Sequence, residues 1–259
     1  MTDFRRVHGP MGPVAMRVDY DQIARRYDDH RGGGGPYMDR LQELAAECRA
    51  GRVLELGAGT GNNTQAFLGE FPCSLVALER SAGMLSQGRA KGLPVHWLRA
   101  SADAIPLADA SVSFVFGVYI LHHLSDLAGV FRECARVMGH GYTAFVTAST
   151  SFIQRHPMNR YFPSFAQVDM ARFQPVESIE EAFRMNGFIE TAAEYFMDKP
   201  RPIDEAYVER VAGKFISTYD LLPEGEFEAG LARLRADVAV TGQLDIPIVW
   251  ESAIVWGRR

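Results

Sequence analysis

The run Val53-Leu54-Glu55-Leu56-Gly57-Ala58-Gly59-Thr60-Gly61-Asn62-Asn63 sets three glycines at alternate positions behind a short apolar stretch. A strand that must turn sharply into a helix while a ligand approaches its backbone needs residues without a Cβ, and glycine meets both demands. The spacing is G-x-G-x-G, not the G-x-G-x-x-G of dinucleotide sites, and no G-K-[ST] follows, which argues against NAD and against ATP. Glu79 stands directly after a second apolar run, Leu75-Val76-Ala77-Leu78. In a doubly wound sheet the carboxyl ends of adjacent strands border one crevice, so Glu79 should face whatever the glycine loop admits. A carboxylate there suits the two hydroxyls of a ribose. The competing readings are a purely structural turn for the glycines and a surface ion pair with Arg80 for Glu79.

His122 and His123 could supply a base titrating near neutrality. Against this, His123 could merely pack or cap the next helix while His122 lines the neighbouring site. Adjacent imidazoles cannot easily aim at one ion, and no cysteine or acid cluster stands nearby, so no metal is expected. Neither a G-x-S-x-G nor a Cys–His nucleophile pattern is found. Residues 151–176 and 198–245 are rich in aromatics and arginines, among them Phe152, Phe165, Arg172, Tyr207 and Phe215. They are expected to wall an acceptor site, with Tyr161 as a further candidate base; for each ring taken singly, core packing competes.

The elements that must position these groups follow from hydrophobic period and punctuation. Buried strands are expected at 53–56, 75–78, 94–98, 112–118 and 143–148. Between them fall helices at 62–69, from a Ser81 cap to 89, and from a Ser125 or Asp126 cap to 138. A helix at 178–186 and a strand at 188–197 follow, then helical patterns at 204–220 and 224–240 and an apolar strand at 248–256. Short strands alternating with helices imply βαβ units and a parallel sheet. The run 156–163 reads as a loop at the carboxyl end of the fifth strand. Gly32 to Gly35 read as a flexible hinge.

The chain has 259 residues, 27 Lys+Arg against 32 Asp+Glu, and a net charge of -5. At ~150 residues per domain that length allows one elaborated α/β domain or a core with a small cap. The acidic balance lacks the basic footprint that many phosphate contacts require, so no nucleic-acid partner is expected. Three scattered cysteines, Cys48, Cys73 and Cys134, fit a reducing compartment rather than a disulfide scaffold. With no apolar run behind the early arginines and no spanning segment, a cytoplasmic protein without a membrane partner is expected.

With Glu55 before G-x-G-x-G and an acid after the second strand, the chain resembles the class I S-adenosylmethionine (SAM) dependent methyltransferases. It looks closest to the group holding the ubiquinone-biosynthesis-type small-molecule enzymes, from about Tyr20 to Phe188. The resemblance implies an α/β fold: a Rossmann-like seven-stranded, mostly parallel sheet with helices on both faces and the final strand antiparallel. It further implies a loop of Gly57, Ala58, Gly59 and Gly61, leading into Asn63, against the methionine part of SAM. Glu79, beside Arg80, would hold the ribose, and Met84 would pack on the adenine. Ser101-Ala102-Asp103 resembles the family's G-D-A-E turn at the adenine edge, with Ser101 in place of the usual acid. Gly117 and Val118 end the fourth strand against the cofactor, and Tyr119 to Leu124 resembles A-L-H-H-L, with His122 lining the site. Asp19 to Arg31 resembles Y-D-x-I-A-x-x-Y-D-x-x-R. Tyr20, Tyr27 and Arg31 would share a helical face, Arg31 clamping the SAM carboxylate and a tyrosine ring covering the sulfonium.

These readings divide the chain into an N-terminal lid (1–36), a SAM-binding core (37–197 and 246–259) and a discontinuous substrate cap (151–176 and 198–245). The expected function is methyl transfer from SAM to oxygen, nitrogen or carbon of a small organic molecule, leaving S-adenosylhomocysteine (SAH). The alternatives are a non-methylating SAM enzyme, such as one cyclising SAM with release of methylthioadenosine, and a non-catalytic SAM-binding regulator. Assembly as a homo-oligomer is left open.

Overall fold

The structure is a computed structural model that describes residues 18–259; residues 1–17 of the expected lid lie outside the described residues. Seven strands are present: β1 Arg52–Leu56, β2 Ser74–Glu79, β3 His96–Arg99, β4 Phe114–Val118, β5 Tyr142–Thr147, β6 Glu190–Met197 and β7 Glu251–Arg258. They form one sheet in the order β3-β2-β1-β4-β5-β7-β6. β1 to β5 pair in parallel, and β7 runs antiparallel to both β5 and β6. The chain winds outward one way from β1 through β2 to β3, then the other way from β4. The crevice where such a sheet reverses lies at the carboxyl ends of β1 and β4, and ligands bind there.

Central parallel strands are covered on both faces and therefore read as continuous apolar runs. Successive side chains alternate between faces. Leu54 and Leu56 join the core beneath the helices Leu127–Met138 and Val176–Met185, while Val53 joins Phe67, Leu41 and Leu44 on the other side. Two caps hold as the sequence suggests. Ser81 Oγ accepts the Met84 N–H (3.1 Å), and Asp126 accepts the Gly129 N–H (2.8 Å). A third apolar cluster joins Met158, Phe162 and Phe165 to Tyr207, Tyr219 and Leu234, so residues from both expected cap segments share one core.

Four sequence expectations need correction. The pattern at 204–220 is a helix only over Glu205–Ala212; Gly213 and a positive φ of 50° at Lys214 end it before the turn Ser217–Leu221. The apolar stretch 248–256 begins pairing as β7 only at Glu251. The run 156–163 contains a short 3₁₀ turn, Pro157–Arg160. The Tyr20–Arg31 segment breaks into short turns, Tyr20–Ile23, Ala24–Arg26 and Tyr27–His30, and leaves Arg31 extended. Among the described residues no helix is long and apolar enough to cross a membrane.

Candidate active site

A cavity of about 1210 Å³ opens at the reversal point and continues between the sheet and the third apolar cluster. Its floor is the turn from β1 into the helix Asn62–Glu70. Gly57, Gly59 and Gly61 all hold positive φ (67°, 58° and 83°), which side-chain-bearing residues rarely adopt. At Gly57 a Cβ would also stand 2.3 Å from Ile120 Cδ1. Beneath the turn, Glu55 is buried and accepts a hydrogen bond from Thr64 Oγ1. Burial pushes its carboxyl up to about 7.

Glu79 ends β2 beside this turn. One carboxylate oxygen accepts the Gly59 N–H (2.9 Å) and the other the Ser81 N–H (2.7 Å). The carboxylate is thus fixed by backbone donors at the cavity wall and makes no ion pair with Arg80. Met84 lies buried below it, and Arg80, Asn63, Ser101, Ala102 and Val118 complete this end of the cavity.

The N-terminal turns roof the glycine loop. Asp28 accepts from Thr60 Oγ1 (2.5 Å) and Asn62 Nδ2 (3.0 Å) and pairs with Lys91 (2.7 Å). Asp21 accepts from Ser81 Oγ (2.6 Å) and from the Gly83 N–H (2.7 Å). Arg31 stacks over Tyr27 at 4.3 Å and donates to the Phe215 carbonyl. Tyr20 Oη meets His123 Nε2 at 2.7 Å. The face of Tyr27 is therefore engaged by Arg31 and the hydroxyl of Tyr20 by His123.

The structure gathers most of the expected site residues but not all. Tyr161 does not line the cavity; it is packed in the third cluster and its hydroxyl donates to Asp237 (2.9 Å), which removes it as a base. Asp103 is exposed and off the cavity, because its turn folds back through a Ser101–Ala104 bridge. Ala58 and Gly117 are buried behind the wall rather than on it. Residues that sequence reasoning did not single out as site groups also line it: Tyr37, Asp169, Arg210, Ser217, Trp250 and Ser252. Tyr37 heads the helix Met38–Glu47, whose apolar spacing at Met38, Leu41, Leu44 and Ala45 is the signal that would have found it. Tyr119 leaves β4 with a positive φ of 51°, and its hydroxyl bonds Ser252 (2.7 Å) and accepts from Trp250 Nε1 (2.8 Å). Strain held by such a network is common at ligand sites.

His122 and His123 do not titrate near neutrality as the sequence suggests. Burial holds His123 down at about 3 and His122 well below its ordinary value, and His122 stacks on Phe173 at 4.0 Å. Buried His156 is likewise lowered to about 3. Below pH 6.5 these imidazoles bind fewer protons folded than unfolded, for His123 and His156 down to about 3, so stability should fall as pH drops below 6.5. Glu55, raised instead, gives stability that is full below pH 4.5 and lost as pH rises through 7, and so offsets one histidine. We expect a net loss of roughly 2–4 kcal/mol from pH 7 to pH 5. Urea unfolding at the two pH values measures it; equal midpoints would show that these histidines are solvated.

Residues 53–141 match the family model described as "Methyltransferase domain". The chain is 34% identical over 134 residues to a malonyl-[acyl-carrier protein] O-methyltransferase of Legionella pneumophila, covering 50% of this chain and 45% of that protein. It spans about half the length of the curated relatives it matches. A solved structure of a putative methyltransferase from an antibiotic biosynthesis pathway of Anabaena variabilis has 23% identity and a TM-score of 0.65, covering 94% of this chain and 99% of that one. The structure of the [4+2]-cyclase SpnF has 19% identity and a TM-score of 0.56, covering 98% and 99%. At these identities the two structures speak for the fold alone.

Proposed function

We propose that this chain, which belongs to the class I SAM-dependent methyltransferases, transfers a methyl group to a small organic molecule held between the sheet and a cap made of residues 151–176 and 198–245. The observation that carries the reading is the continuity of one cavity from the glycine turn and the fixed Glu79 carboxylate to the cap. Cofactor and acceptor would share that chamber, as direct transfer requires. The cofactor fits the groups present. Glu79 offers acceptor oxygens at the end of β2. Arg31 is a half-buried cation that meets a backbone carbonyl, Tyr20 and Tyr27 but no carboxylate among the described residues, which suits it to a ligand carboxylate.

When bound, SAM supplies a sulfonium-activated methyl carbon, which an acceptor lone pair attacks as the carbon–sulfur electrons return to sulfur. In this reading the glycine turn admits the methionine part, Glu79 holds the ribose hydroxyls, and Met84 with Ser101 and Ala102 borders the adenine. Tyr20, Tyr27 and the turns over the loop exclude water. His122 and His123 stay neutral and shape the wall between cofactor and acceptor. Catalysis then rests on proximity and dehydration rather than on a dedicated base.

Calorimetry with SAM and SAH tests the reading, and absence of binding by either at millimolar concentration would sink it. Glu79→Ala should weaken binding by one to two powers of ten, roughly 1.4–2.8 kcal/mol; an unchanged affinity would refute the ribose assignment. A non-methylating SAM enzyme using the same cavity is the second reading, because a sulfonium also activates its other two attached carbons. Incubation with SAM alone separates the two, because methylthioadenosine released without an acceptor supports that second reading.

A further inference from the structure

Three arginines converge on the segment 215–218, where the N-terminal turns meet the cap. Arg31 donates to the Phe215 carbonyl, and Arg210 lies over the Phe215 ring at 4.4 Å. Arg172 reaches Ser217 Oγ at 3.2 Å and Thr218 Oγ1 at 3.3 Å. All three line the cavity. One carboxylate in this corner answers them: Asp169, which takes a 2.5 Å bond from Arg172 and one bond from the Thr218 hydroxyl shared between its two oxygens (2.9 and 3.0 Å). Among the described residues neither Arg31 nor Arg210 has an ion-pair partner.

Three positive charges against one negative leave an excess of two in this corner, and the rest of the lining, with Arg80, Lys199 and Arg201 against Glu79 and Asp198, does not cancel it, in a protein whose net charge is -5. SAM does not balance that excess. Its amino-acid end is a zwitterion, so its carboxylate can pair with Arg31 while its ammonium and sulfonium keep the chamber positive. Cations withdrawn from water without a counter-charge are costly. Two further donors point the same way: Arg172 Nε and the Tyr207 hydroxyl are buried without partners, and the Arg172 side chain is only 7% exposed. Excess positive charge, unused donors and aromatic walls at Phe165, Phe173 and Phe215 describe a chamber for a flat or apolar body bearing an anion.

We propose that the methyl acceptor carries an acid group, a carboxylate or a phosphate, bound by Arg172 and Arg210 while Arg31 takes the cofactor's carboxylate. Guanidinium forks suit either group, and both can be gripped by two parallel bonds. The proposal rests on the SAM reading above and adds the chemical class of the acceptor.

Calorimetry on the full chain saturated with SAH tests it, with benzoate and phenyl phosphate as acid probes and benzamide as the neutral control. At least one acid should bind about ten-fold or more tightly than benzamide, and the better acid tells carboxylate from phosphate. Arg210→Met, which keeps an apolar stem over Phe215, should abolish that preference while leaving SAH affinity within about two-fold. Equal affinity for acid and amide, no binding of either acid up to ~10 mM, or a preference that survives Arg210→Met overturns the proposal. A chain that fails to bind SAH defeats the SAM reading instead; SAH binding without acid preference defeats only this one.

Discussion

Arg172→Met is expected to destabilise the fold by about 3–5 kcal/mol, because it strands a buried carboxylate. Asp169 is 7% exposed, and burial already raises its carboxyl above the ordinary value against the pull of Arg172 and Thr218. Without the guanidinium that burial is uncompensated, and only the Thr218 hydroxyl remains as a donor. The melting temperature should drop by on the order of 10 °C. Removing both charges, as Arg172→Met with Asp169→Leu, should recover most of the loss, since a buried pair exchanged for apolar groups is often near neutral. A double-mutant cycle by urea unfolding measures the coupling. If the single variant loses less than about 1 kcal/mol, water solvates the pair and the buried-charge argument fails.

Gly33→Ala is expected to weaken SAH binding about ten-fold or more while the melting temperature stays nearly constant. A Cβ at Gly33 would stand 2.0 Å from the Asn62 carbonyl oxygen and 2.2 Å from its carbon. Those are backbone atoms at the start of a helix and cannot yield as a side chain would. The bonds that hold the roof are spaced around that point: Asn62 Nδ2 donates to the Arg31 carbonyl (3.0 Å), and Asn63 Oδ1 accepts the Gly34 N–H (3.0 Å). Gly32, which has open space about it, supplies the matched control Gly32→Ala. Should the two variants bind SAH alike, the seated roof is not needed for affinity and its lid role falls.

The sheet and the glycine-turn end of the cavity were legible because local sequence decides them. Three glycines with positive φ must sit where a strand turns into a helix, and an acid directly after the next strand must share the crevice. Ser81 and Asp126 announce their helices by chemistry confined to three residues. The cap end was not legible, because most of its residues meet only across the fold. Asp169 and Arg172 are an i,i+3 pair at the end of one short helix, but Arg210 and Ser217 reach that pair from other turns of the cap, and nothing in local spacing couples them to it. Tyr161 misled for the same reason: an aromatic near a strand end points into the cavity or into a packed cap according to tertiary contacts alone. The histidine pair was found, but its burial, which sets its charge, has no local signature.

Met197 at the end of β6 and Glu251 at the start of β7 are register partners. Residues 198–250 therefore fill the place of a hairpin turn, entering and leaving the sheet side by side. Loop-closure entropy grows only by about 0.6 kcal/mol for each doubling of loop length, so the scaffold is nearly indifferent to what is spliced between those two strands. Evolution can exchange this segment wholesale, and with it much of the chamber's lining, while the strands and the glycine turn stay as they are. An engineer could do the same by grafting a foreign segment between Met197 and Glu251.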